Sequence, residues 1–79
     1  MNERFIRMFG ESVLSVVCAN NLVVIKTLTG SAHVAAEAVD SLKWPEILGS
    51  IAGDNTILVI CRTNEEAPQI VERFRSMMK

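Results

Sequence analysis

Tyrosine is absent from this 79-residue chain, tryptophan occurs once, and aromatic residues make up 5% of it. Cysteine and proline are scarce as well, at 2 each, and there is 1 histidine. Each shortage excludes something. Cys18 and Cys61 alone cannot build a disulfide framework or a four-ligand zinc site. A lone histidine, His33, narrows metal chemistry further, and neither a metal nor a cofactor is expected. No apolar run reaches the ~18–20 residues that a membrane span requires. Charge of one sign is missing too. The 8 basic and 9 acidic residues leave a net charge of −1, without the basic stripe that marks a nucleic-acid surface. The opening segment carries Glu3, Arg4 and Arg7 among its apolar residues, unlike a signal peptide. The expectation is a soluble domain of the cytoplasm.

What the chain has in quantity is apolar surface. Hydrophobic residues reach 49% and charged residues only 22%. A domain of this size buries only ~60–65% of the surface its unfolded chain exposes. Part of the apolar load is therefore expected to lie between copies of the chain.

Residues 1–10 read as a linker end or a short helix, with Gly10 as a stop, and residues 11–79 as the domain proper. Two β-branched runs follow, Val13 to Ala19 and Leu22 to Leu28, separated only by Asn20-Asn21. Asparagine tolerates positive φ, which suits a two-residue hairpin turn. Thr29-Gly30-Ser31 offers hydroxyls to cap a helix over Ala32 to Leu42, whose apolar positions recur at helical spacing. Pro45 ends that segment. Ile47 to Ala52 and Thr56 to Cys61 form a second pair of strands about the turn Gly53-Asp54-Asn55. Thr63 or Asn64 is placed to cap a last helix, with Ala67, Ile70, Val71, Phe74, Met77 and Met78 on its apolar face.

The expected fold is α/β in the α+β sense: a two-layer ββαββα domain with a four-stranded antiparallel sheet and two helices on one face. A sheet with water on its other face should alternate apolar and polar residues. Strands one, two and four hardly alternate, so the uncovered face is expected to pack against the sheets of other copies.

Catalytic machinery is not visible. Cys61 and His33 form a conceivable nucleophile and base, but both cysteines sit in β-branched runs where a free thiol serves as a small hydrophobe. Gly49-Ser50-Ile51-Ala52-Gly53 misses the nucleophile elbow, since Ile51 stands where serine is needed. His33, Glu37 and Asp40 share one helical stripe, which reads either as a solvated face or as a pocket wall. Asp54 is either ordinary turn chemistry or a carboxylate presented at an interface.

Taken together, these segments resemble the C-terminal domain of the bacterial arginine repressor family. The resemblance is carried by Asn21 to Thr27, Gly30-Ser31-Ala32-His33, Val39-Asp40-Ser41-Leu42 and the stretch Glu46 to Ile60. Its specific part is the glycine-plus-Asp turn between two apolar strands, with a helical Asp upstream. It implies a domain that trimerises, two trimers stacking into a hexamer, with L-arginine bound between them as corepressor. It also implies that operator DNA is met only through an N-terminal winged helix-turn-helix, which this chain does not contain.

By the same resemblance, Asp54 meets the arginine guanidinium, Asp40 the α-ammonium, and His33 lies near the α-carboxylate. Ser50 stands where threonine is common, and Ala52 contributes backbone. Asn55 replaces the second Asp of the family's turn and completes the candidate arginine-binding set. Thr29 and Ser31 replace a usual proline and asparagine. Two other readings stand beside this one. The pterin carbinolamine dehydratases are similar in element order and size but rely on a histidine cluster, where this chain has His33 alone. The other is an assembly module without a ligand.

Overall fold

The computed structural model describes residues 3–78, so the expectations for Met1, Asn2 and Lys79 lie outside the described residues. The elements run α1 (Glu3–Ser12), β1 (Val13–Ala19), β2 (Leu22–Thr27), α2 (Ala32–Leu42), β3 (Ile47–Ala52), β4 (Thr56–Cys61) and α3 (Glu66–Arg75). The four strands form one sheet in the order β1-β2-β4-β3, and every neighbouring pair is antiparallel. Asn20 adopts φ 56° in the first hairpin, as its two-residue turn requires.

Strand chemistry and strand burial differ. Val16, Val23, Ile25, Ile57, Val59 and Cys61 are buried on the helix-covered face. The residues between them are apolar as well. Val24, Leu58 and Ile60 are half-buried on the opposite face, and Val17 and Ile51 are exposed beside them. No element among the described residues covers that face.

The helix layer holds three helices rather than two. Gly10 does not stop the first, which continues to Ser12. Phe5 and Phe9 are buried in the core, and Phe9 stacks on Phe74 of α3 with ring centroids 5.2 Å apart. Burying two aromatic side chains outweighs the cost of roughly 1 kcal/mol for one glycine in a helix.

The expected side-chain cap of α2 is not made. Ser31 occupies the cap position at φ −100°, ψ −4°, away from the extended backbone that such capping needs. The Asp54 carbonyl serves instead, accepting from the N–H of Gly30 at 3.1 Å and of Ala32 at 3.2 Å. Gly30 makes this approach at φ 80°. Thr63, by contrast, does cap α3: its hydroxyl accepts from the Glu66 N–H at 3.1 Å and donates to the Glu66 carboxylate at 3.2 Å.

At the other end of α2, Lys43 turns the chain at φ 54° and sends Trp44 back onto Phe74, 5.2 Å between centroids. Arg73 stacks over the indole and donates to Glu46 at 2.8 Å. This clamp holds β3 against the helix layer where the strand begins.

Candidate functional site

The seam between α2 and β3 gathers residues that are spread along the sequence. Ser50 lies on the helix-facing side of β3, because its register partner Val59 is buried there. Its hydroxyl donates to Asp40 Oδ1 at 2.7 Å. Beside this pair a cavity of about 130 Å³ is lined by Asp40, Lys43, Trp44, Ile47 and Leu48, among others.

One strand length away, the turn Gly53-Asp54-Asn55 closes the β3–β4 hairpin, with the Gly53 N–H donating to the Thr56 carbonyl at 2.8 Å. Through its carbonyl Asp54 is fixed to the first residues of α2, next to His33. The Asn55 carbonyl accepts from the Thr27 N–H at 2.8 Å, which ties the same turn to the end of β2. The side chains of His33, Asp40, Asp54 and Asn55 are exposed, while Ser50 and Ala52 are half-buried. Asp40 thus sits beside Ser50 of β3, and the Asp54 backbone, two residues past the end of that strand, is fixed to the start of α2.

Sequence reasoning missed Lys26. Its ammonium donates to the Thr56 hydroxyl at 3.0 Å, and that hydroxyl donates to Asn55 Oδ1 at 3.0 Å. A cation therefore stands beside the turn. The only signal for it was a single lysine interrupting an apolar strand. Lys43 and Trp44, just past the end of α2, also line the cavity, and neither carries a sequence motif that marks it.

The nucleophile–base pairing considered for Cys61 and His33 is not formed. Cys61 is fully buried at the far end of β4, whereas His33 lies near the turn that begins it. Burial pushes the Cys61 thiol up, and the Glu66 carboxylate adds to the effect. Among the described residues, no group of three His, Cys, Asp or Glu side chains is arranged to hold a metal ion. None of the described helices is long and apolar enough to cross a membrane.

Residues 9–76 match the family described as "Arginine repressor, C-terminal domain". The chain belongs to that family. The arginine repressor of Caldicellulosiruptor saccharolyticus is 47% identical over 78 residues, covering 99% of this chain and 51% of that protein. The arginine repressor of Ruminiclostridium cellulolyticum is 48% identical over 79 residues, covering all of this chain and 53% of its own length. That of Clostridium tetani is 47% identical over the same span and is covered to 52%. The chain thus spans about half the length of the curated relatives it matches. Arginine repressors are transcriptional regulators of arginine metabolism rather than enzymes, so the dehydratase reading is set aside.

Proposed function

We propose that this domain senses L-arginine and holds its parent regulator together as a trimer and, by stacking of two trimers, as a hexamer. L-arginine brings two cations and one carboxylate. Asp54 pairs with the guanidinium, whose planar fork matches a carboxylate. Asp40, oriented by Ser50, takes the α-ammonium. His33 and the backbone N–H groups that open α2 meet the α-carboxylate. Ala52 and Asn55 complete the wall.

The observation that carries this reading is the pairing of Asp40 with Ser50 on the same seam that the Asp54 carbonyl fastens to the start of α2. Exposed ion pairs contribute only ~0–1 kcal/mol. Both carboxylates are exposed on the single chain, so a useful site requires a second chain to exclude water from it. The uncovered apolar sheet face supplies the reason for chains to associate. Operator DNA is left to another part of the parent regulator, because the net charge of −1 gives this domain no overall excess of basic groups for phosphates. The regulator works in the cytoplasm, where its two free cysteines remain reduced.

Titration calorimetry with L-arginine tests the site, and citrulline serves as the control because it keeps the shape and lacks the guanidinium charge. Asp54→Asn preserves turn chemistry and removes the counter-charge, at a cost of ~2–5 kcal/mol in binding. Binding of arginine by Asp54→Asn as tight as by the parent chain would falsify the assignment. Light scattering with and without arginine tests the assembly, and a monomer under both conditions overturns it.

A further inference from the structure

The strand order leaves β1 and β3 as the two edges of the sheet. An edge strand offers unpaired N–H and C=O groups to any chain that can lie beside it. On β1, Ala19 and Leu22 flank the two-residue turn, and Val16 lies three residues back, opposite Ile25. In an antiparallel ladder, hydrogen-bonded and non-hydrogen-bonded pairs alternate. Counting from the turn directs the backbone groups of Val16 and Cys18 away from β2, toward the open edge.

At Val16 that edge is not open. Arg75, in the last turn of α3, donates to the Val16 carbonyl through Nε at 3.0 Å and through Nη2 at 2.8 Å. The two residues are 59 positions apart, and the guanidinium reaches across the edge rather than along its own helix. Its Nη1 stands 3.9 Å from the Glu72 carboxylate, a looser contact between exposed groups. A second feature of the same strand works in the same direction: the register shifts between Val13 and Ser15, a bulge that twists the edge away from flat pairing. Beyond the strap, Cys18 is exposed.

We propose that Arg75 is a strap that closes the β1 edge against strand addition by a second copy of this chain. Its fork fills both lone pairs of one edge carbonyl and lays a charged side chain over the strand, so that association is left to other surfaces.

The test compares the parent chain with Arg75→Ala, Arg75→Lys and Ile70→Val. The last removes one core methylene from α3 and leaves the strap intact. Cys18 is the reporter, since Cys61 is buried. Bis-maleimidoethane joins two Cys18 thiols whenever two β1 strands lie side by side, and denaturing gels count the product. The expected result is at least a fivefold gain in cross-linked dimer for Arg75→Ala, a smaller gain for Arg75→Lys, and none for Ile70→Val. Loss of the product when Cys18→Ser is added to Arg75→Ala assigns it to β1. Equal cross-linking of Arg75→Ala and parent overturns the proposal. So does an equal gain in Ile70→Val, because the effect is then general loosening of the fold.

Discussion

Ser50 and Asp40 meet at 2.7 Å across the seam between β3 and α2, the hydroxyl donating to the carboxylate. The contact leaves the second carboxylate oxygen available for a ligand ammonium. Asp40→Asn keeps a partner for Ser50 and removes the charge. L-arginine affinity is expected to fall ~10–100-fold, the equivalent of one charge-assisted hydrogen bond. Ser50→Ala is expected to weaken binding only a few-fold. Asp40 is exposed and Ser50 half-buried, so both variants should unfold within about 1 kcal/mol of the parent. Calorimetry and urea denaturation on the same samples separate the two effects.

Lys26 places an ammonium beside Asn55, bridged by the Thr56 hydroxyl. A cationic ligand end held by Asp54 feels that charge as repulsion. Lys26→Met is therefore expected to raise arginine affinity roughly 2–5-fold at low salt, with the gain vanishing near 1 M salt, where the screening length is only about 3 Å. Asn55→Asp should act in the same direction, by adding a negative charge beside the Thr56 hydroxyl that now holds Lys26. Titrations across a sodium chloride series check both variants.

Ile51 is 69% exposed on the uncovered sheet face, so its side chain contributes little to the single chain. Ile51→Asp should leave the circular dichroism spectrum unchanged and drive the assembly toward smaller species. Sedimentation equilibrium measures the shift. An unchanged assembly would place the contact between copies elsewhere on the molecule.

Glu46 gives the fold an acid sensitivity with a definite sign. The hydrogen bond from Arg73 holds its carboxyl below the ordinary value of 4.5. A carboxylate whose folded value is depressed stabilises the fold above its unfolded value, and that contribution is lost as pH falls through the folded one. Glu66 is lowered in the same way, chiefly by its hydrogen bond from Arg62. Urea midpoints should therefore drop as pH falls below about 4.5. Glu46→Gln should lower the midpoint at neutral pH and flatten the acid limb without abolishing it, since Glu66 still titrates.

Much of the fold was legible because it is locally encoded. Asn20-Asn21 and Gly53-Asp54-Asn55 carry turn chemistry within two or three residues, and the apolar spacing of Ala32 to Leu42 is a helical repeat. Thr63 sits three residues before Glu66, which is enough to mark where the last helix begins. Local signals fail where a distant contact outbids them. Gly10 reads as a helix stop, yet Phe5 and Phe9 carry α1 through it because Phe74 is there to stack upon. Thr29 and Ser31 read as caps, yet the carbonyl of Asp54 arrives first.

The candidate site divides along the same line. Its residue types stood out in the chain: two aspartates, one histidine and a glycine turn. Only the tertiary structure set Asp40 against Ser50, brought Lys26 to the turn and laid Arg75 over Val16, 59 residues away. In strands apolar on both sides, composition does not decide which face turns inward. Pairing register decides it, because a shift of one residue exchanges the two faces. That register puts Val23, Ile25, Ile57 and Val59 under the helices and leaves Val24, Leu58 and Ile60 on the face without a cover.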